Sequence, residues 1–298
     1  MYNEMRVCSK LAGCTEKALI LGSFLFVLLT SCVKTSTPES KQPRGTLFII
    51  GGGSRDSSLM EQLINVSGWQ PGDWISIAPM SSRWDSAYIS MNLEFQHYTR
   101  SNIRCIRIDS NTVKSSLTLD SMRKSKIIYL NGGDQSIFMM HIKGTDFKKA
   151  IKEAYDKGAT VAGTSAGAAL MSERMLTGNQ LKDKEYTSAI PVIWRNNVEV
   201  VEGLGLLDSV MIDQHFIVRS RNNRLISAVL DNQKLVGIGI DESTAIIVQG
   251  DTATVVGDSQ VMVYQRPNQV RYSGENLIGA KDMLFSIHLP GDKFRIRR

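Results

Sequence analysis

Ser165 stands between glycines in Gly163-Thr164-Ser165-Ala166-Gly167, directly after the short apolar run Ala159-Thr160-Val161-Ala162. A serine so placed is a nucleophile elbow in outline. A tight strand-to-helix turn lifts its hydroxyl clear of the sheet, and the glycines remove side chains that would clash where the backbone folds back. A helix that begins at once with Ala166-Gly167-Ala168-Ala169-Leu170 aims the N–H groups of its first turn at the serine, where they can hold a developing oxyanion. The same pentapeptide also occurs as a plain turn in Gly/Ser-rich loops, so the chemistry depends on partners.

The chain has four histidines. His97 falls in a polar helical stretch and His141 follows an apolar helix start, so both read as surface or satisfied side chains. His288 lies in an alternating, strand-like run. His215 differs, because Val210-Met211-Ile212 is a short buried strand that delivers Asp213-Gln214-His215-Phe216 at the carboxyl edge of a sheet, where open α/β sheets build their sites. A histidine base needs a carboxylate to hold its tautomer. Leu235-Val236-Gly237-Ile238-Gly239-Ile240 is a second strand, ending in Asp241-Glu242. Alternation sends these two carboxylates to opposite faces, so one of them meets His215; spacing leaves the choice open. The order serine, histidine, acid also differs from that of the α/β hydrolases.

Other strand ends carry glycine or arginine. Asn131-Gly132-Gly133-Asp134-Gln135 follows the strand Lys126-Ile127-Ile128-Tyr129-Leu130; its glycines permit close backbone approach to a ligand, although Asn-Gly is also ordinary turn chemistry. Ile49-Ile50-Gly51-Gly52-Gly53 ends the first strand. Neither a phosphate loop nor a dinucleotide fingerprint follows, so it reads as a turn lining the cleft. Arg219, Arg221 and Arg224 come just after His215, and planar guanidiniums grip carboxylates by two bonds at a time, which points to an acidic substrate. The plainer reading has Arg224 capping or salt-bridging the helix that follows. With few Cys/His clusters there is no basis for a structural zinc site, and neither metal nor cofactor is expected.

In this order, the segments around Asn131, Ser165, His215 and Asp241-Glu242 resemble the cyanophycinases, which belong with peptidase E among serine peptidases on a class I glutamine amidotransferase-like fold. The resemblance covers most of the chain from about Gly45 onward. It implies a flavodoxin-like three-layer α/β sandwich and a triad of Ser165, His215 and Glu242; the preference for Glu242 over Asp241 comes from the resemblance alone. From the residues themselves, a glycine N–H of the Asn131 loop, assigned to Gly133, pairs with that of Ala166 as the expected oxyanion hole. Substrate contacts are implied for Gln135, Asp213, Gln214, Arg219, Arg221 and Arg224, where a poly-aspartate chain with arginine on each β-carboxyl is held. The activity implied is exopeptidase hydrolysis of β-aspartyl-arginine or related isoaspartyl peptides. An aspartyl or isoaspartyl dipeptidase of peptidase E type is the alternative, and from a different class, a non-catalytic binding lipoprotein on the same fold. Family members are often dimers, so a homodimer is an expectation.

The elements that must position these residues alternate along the chain. Strands are predicted over 46–50, 74–78, 103–108, 127–130, 160–162, 211–213 and 235–240, with helices over 57–66, 87–100, 147–157 and 221–230. Such alternation implies a mainly parallel sheet covered on both faces. Runs 244–249, 252–256 and 260–264, separated by Gly250-Asp251 and Gly257-Asp258, predict a C-terminal antiparallel β extension. Ahead of this domain, residues 18–29 form an apolar run preceded by Arg6, Lys10 and Lys17, which reads as a secretion signal too short to span a bilayer comfortably. Leu29-Thr30-Ser31-Cys32 resembles a lipobox, with Cys32 the lipidated residue; Leu11-Ala12-Gly13-Cys14 lacks an apolar segment ahead of it and reads as a decoy. The expected organisation is a signal over 1–31, a lipid-anchored tether over 32–44 and the peptidase domain over 45–298, on a bacterial membrane outside the cytoplasm. Of the four cysteines, Cys105 is then the one in the folded body, in an alternating strand as a core filler. The net charge of +6 is modest and dispersed, without aromatic-basic stacking, and gives no support to nucleic-acid binding.

Overall fold

Apolar residues fill both faces of the central strands, as a parallel sheet covered by helices on each side demands. The computed structural model describes residues 45–80, 84–100, 102–183, 185 and 187–296; the expected signal, Cys32 and the tether lie outside them. The chain runs β1 (Thr46–Ile50), α1 (Ser57–Ser67), β2 (Trp74–Met80), α2 (Trp84–Gln96), β3 (Ile103–Cys105), α3 (Ser116–Lys124), β4 (Ser125–Gly133), α4 (Gln135–Ile142), α5 (Phe147–Asp156) and β5 (Thr160–Thr164). Next come α6 (Ala166–Ala169), β6 (Arg174–Gln180), β7 (Val198–Glu202), β8 (Val210–Gln214), α7 (Asn222–Asp231) and β9 (Val236–Ile240). The C-terminal part is built of strands: β10 (Thr244–Gln249), β11 (Thr252–Gly257), β12 (Val261–Asn268), β13 (Arg271–Ser273), β14 (Leu277–Gly279), β15 (Asp282–His288) and β16 (Lys293–Arg295).

β1, β5, β4, β2 and β3 lie side by side in that order, paired in parallel. On the β1 side, β10, β11 and β16 continue the sheet antiparallel. Because successive side chains point to opposite faces, the strands feed two cores. Leu47, Ile49, Ile128, Leu130 and Val161 pack with residues of α3 to α6, while Phe48, Ile50, Ile75, Ile127 and Tyr129 pack with α1 and α2. In α5 the buried residues Phe147, Ala150, Ile151, Ala154 and Tyr155 recur at helical spacing, which is why this helix lies flat on the sheet. α1 is fixed at both ends: Asp56 accepts from the Leu59 N–H at 2.8 Å, and Gly68 closes the helix at φ 62°.

The alternating pattern predicts one sheet that includes 211–213 and 235–240. Instead, β8 and β9 pair in parallel and build a second, four-stranded sheet with β12 and β15. A strand has two edges, and those of β9 are taken by β8 and β12, so none is left for the larger sheet. The chain passes from the smaller sheet to the larger through Asp241-Glu242-Ser243. β3 is shorter than predicted, ending at Cys105, which is half-buried rather than a core filler. Among the described residues no helix is long and apolar enough to cross a membrane.

Candidate active site

β5 ends at Thr164 and α6 begins at Ala166, so Ser165 occupies the turn, with φ 55° and ψ −115°. A non-glycine residue there carries strain on the order of 1–3 kcal/mol, which its surroundings must hold. The Ser165 N–H donates to the Ile50 carbonyl at 3.1 Å, and the Ser165 carbonyl accepts from Ala168 and Ala169 at 3.0 and 3.2 Å. Both flanking glycines are required. A Cβ on Gly163 would lie 2.5 Å from the Gly167 carbonyl oxygen, and one on Gly167 would lie 2.1 Å from that of Leu130. With four residues, α6 has little dipole to offer; what it presents is the Ala166 N–H, which has no acceptor within the helix.

Ser165 Oγ lies 2.8 Å from His215 Nε2, and His215 Nδ1 lies 2.5 Å from Glu242 Oε1. Asp241 faces elsewhere. Its Oδ1 accepts from the Ile217 and Val218 N–H groups, both at 3.0 Å, and its Oδ2 from the Ser259 hydroxyl at 2.8 Å. Of the two carboxylates that spacing left open, Glu242 therefore meets the histidine, and Asp241 secures the turn that follows it. Burial above all, with the Arg219 guanidinium and then that of Arg221 in support, holds the imidazole below the ordinary histidine value, against the opposing pull of Glu242. At neutral pH the ring is uncharged; with its Nδ1–H donating to Glu242 Oε1, its Nε2 lone pair faces the serine. The other histidines differ: His97 is exposed, His141 is half-buried in α4, and His288 stacks on Phe294 at 4.3 Å.

The loop Gly51-Gly52-Gly53, read from sequence as a turn lining the cleft, is the bed of the histidine–glutamate pair. A Cβ on Gly52, whose φ is +112°, would lie 2.3 Å from His215 Cε1, and one on Gly53 would lie 2.6 Å from Glu242 Cβ. Carbonyls at the end of β1 and in this loop hold the site's backbone: Ile50 accepts from the Ser165 N–H at 3.1 Å, Gly51 from that of His215 at 2.7 Å, and Gly52 from that of Ser243, beside Glu242, at 2.9 Å. Three successive carbonyls thus hang the three site segments on the end of β1. The signal available was three adjacent glycines at a strand end with no phosphate to cradle.

The residues expected to contact substrate mostly contact one another. Arg224 grips the Asp213 carboxylate with two bonds, Nε to Oδ2 at 2.9 Å and a shorter one from Nη2 to Oδ1, and both residues are buried. Arg221 Nη1 donates to the Gln214 carbonyl and to its Oε1, each at 2.6 Å. Asp213, Arg221 and Arg224 are buried against one another and their neighbours, and they stiffen the strand end that carries His215. Gln214 is buried with them, and Gln135 donates to the carbonyls of Leu176 and Thr177 at 3.0 and 2.9 Å. Arg219 stays partly exposed beside His215. Gly132 approaches the serine, a Cβ on it lying 3.5 Å from Ser165 Cβ, but its N–H already donates to Asn131 Oδ1 at 2.9 Å. Gly133 follows, ending β4 at φ 146°.

An elbow serine, a buried histidine and a carboxylate in one hydrogen-bonded line on an α/β sheet have the arrangement of a serine hydrolase. The chain belongs to peptidase family S51, whose model matches residues 47–256. It is similar to the cyanophycinase of Trichormus variabilis, 28% identical over 285 residues that cover 90% of this chain and 91% of that protein. The cyanophycinase of Geminocystis herdmanii is 31% identical over 183 residues, covering 58% of this chain and 63% of its own. Peptidase E of Actinobacillus pleuropneumoniae is 23% identical over 159 residues, 51% of this chain and 62% of that one. Among solved structures, a peptidase from an acI-B1 actinobacterium shares the fold, with a TM-score of 0.59 at 20% identity, covering 84% of this chain and 96% of that one.

Proposed function

We propose that this serine peptidase is an exopeptidase acting on β-aspartyl-arginine, cyanophycin-like, or related isoaspartyl peptides, with Ser165, His215 and Glu242 as its triad. The hydrogen-bonded line from Ser165 through His215 to Glu242 carries the catalytic part of this reading; the similarity to cyanophycinases supports the substrate part. Ser165 Oγ attacks the amide carbonyl while His215 Nε2 takes its proton. The tetrahedral oxygen is held by the N–H groups of Ala166 and Gly133, the neighbouring Gly132 amide being engaged with Asn131. His215, its positive form stabilised by Glu242, returns the proton to the leaving nitrogen, and water then releases the acyl group by the same route. Arg219 is the arginine placed to meet a substrate carboxylate. A dipeptidase of peptidase E type draws on the same geometry, and the similarity to peptidase E favours it as the second reading.

The export signal over 1–31 and a lipid on Cys32 complete the proposal, setting the enzyme on a bacterial membrane where it meets polymer or peptide outside the cytoplasm. Incubating the protein with purified cyanophycin and a panel of β-aspartyl dipeptides tests it, the expected product being β-aspartyl-arginine. Replacing Ser165 with Ala should leave the fold intact and lower the rate by about three orders of magnitude or more. Equal rates in the two proteins refute the triad, and no release from any of these substrates refutes the specificity.

A further inference from the structure

Three glycines in a row make a hinge unless both flanks are held, because each can take φ values that other residues avoid. Gly51-Gly52-Gly53 packs against the histidine–glutamate pair, and Gly52 and Gly53 sit at φ +112° and +72°. On one side β1 holds the loop. On the other, Asp56 caps α1, and between Gly53 and that cap stands Arg55. Its guanidinium crosses to α2 and takes the Glu94 carboxylate with two bonds, Nε to Oε2 at 3.0 Å and Nη2 to Oε1 at 2.8 Å. The two side chains are only 15% and 27% exposed, which sets them apart from a solvated surface pair. A two-bond grip also fixes direction, which a point charge does not.

The grip is seated on the central strands. Tyr129 of β4, fully buried, meets Phe95 of α2, the residue after Glu94, edge-on at 5.6 Å. Its polar neighbours are Arg55, Glu94 and the hydroxyl of Thr164, the residue before Ser165. Burial pushes the Tyr129 phenol up to about 12, so it stays neutral beside the guanidinium. Arg55 thus stands where the far side of the glycine loop, α2 and the end of β5 come together.

We infer that Arg55 is a positioning residue of the triad: gripping Glu94, it pins the far side of the glycine loop and keeps the bed of His215 and Glu242 in register with Ser165. It acts through the loop and not on the substrate. The inference rests on the triad read above and names a residue outside it on which its alignment depends.

The test compares the full-length wild type with Arg55→Met, Arg55→Lys and Glu94→Gln. Without the grip the bed can shift, so Arg55→Met should lower kcat by about tenfold to a hundredfold while KM stays within about twofold. Arg55→Lys keeps a cation without the fork, and its kcat should fall between the two. Glu94→Gln keeps an oxygen for one bond and should lower kcat by less; it decides the matter should Arg55→Met fail to fold. Arg123→Met is the control for plain loss of an ion pair. Arg123 holds Glu153 at 2.7 Å, with side chains 28% and 34% exposed, just ahead of β4 at the end away from Gly133. That variant should melt earlier without losing kcat. A kcat unchanged in Arg55→Met and Glu94→Gln, or lowered equally in Arg123→Met, overturns the inference.

A fluorophosphonate reads the same geometry without a peptide substrate: Ser165 Oγ attacks phosphorus, fluoride leaves, and His215 takes the serine proton. Labelling of the wild type should outpace that of Arg55→Met by the factor seen in kcat, even if no aspartyl peptide is cleaved. Equal labelling rates overturn the inference and leave the triad standing. No labelling of the wild type refutes the triad itself, and the inference with it.

Discussion

Replacing Gly52 with Ala should disable the site while leaving the fold standing. The added methyl would lie 2.3 Å from His215 Cε1, 2.5 Å from Nε2 and 2.7 Å from Nδ1. Restoring an ordinary separation of about 3.5 Å drives the ring back by roughly 1 Å. The 2.8 Å contact between His215 and Ser165 cannot survive such a shift. A misplacement of about 1 Å in a catalytic group costs on the order of a hundredfold in rate, so kcat should fall by about that factor with KM little changed. The backbone adds its own cost, since a φ of +112° is strained for alanine by about 1–3 kcal/mol. At about 2–4 °C per kcal/mol for a domain of this size, Tm should drop by roughly 2–12 °C. Gly72 separates the two effects: its φ is +104° and nothing lies within 4 Å of a Cβ there, so Gly72→Ala carries the strain without the clash. Kinetics and thermal melts of both variants decide the matter. If Gly52→Ala keeps wild-type kcat while melting like Gly72→Ala, the histidine is not held by this loop.

Because His215 is held below its ordinary value of 6.5, it stays an unprotonated base into mildly acid solution, and the acid limb of kcat/KM should fall below that pH. Arg219→Ala removes one of the charges that lower it and should move the limb upward; a wild-type limb above 6.5 that does not respond contradicts the assignment. Arg224→Ala removes both of its bonds to the buried Asp213 carboxylate and leaves it Arg221 at 3.9 Å and the Gln214 N–H at 2.8 Å, which should cost about 3 kcal/mol in urea unfolding; a loss under about 1 kcal/mol would mean the pair is solvated. Cys32→Ala should abolish lipid labelling in the producing cell and Cys14→Ala should not, and labelling that depends on Cys14 would reassign the anchor.

The strand ends that carry the site were readable from sequence because each combines a short apolar run with a glycine or polar cluster. Ser165 and His215 stand at such ends, and the 244–249 run coincides with β10. Position along the chain did not reveal which way a side chain turns. Asp241 and Glu242 are adjacent and chemically alike, and what separates them is the turn at Ile217 and Val218 that Asp241 holds. Position along the chain did not name the partners of the arginines after His215 for a related reason. A guanidinium suited to a substrate carboxylate suits a buried Asp213 equally well, and the partner is eleven residues away on another element. The hairpin of β6 and β7 went unforeseen because a long connection divides it, and its ladder shifts register between Leu176 and Gln180. The parallel pair β8 and β9 was foreseen as strands but not as part of a separate sheet, since edge occupancy by β12 is a long-range fact.

The suspension of Ser165, His215 and Ser243 from the carbonyls of Ile50, Gly51 and Gly52 has a mechanical meaning. Displacements of that segment are common to all three, so breathing of the sheet carries the nucleophile, the base and the residue beside the acid as one body. The separations that proton transfer depends on are differences between positions, and a shared displacement cancels from a difference. Alignment on this support tolerates motions that would scatter a site mounted on independent loops, and it is lost only when the end of the first strand comes away.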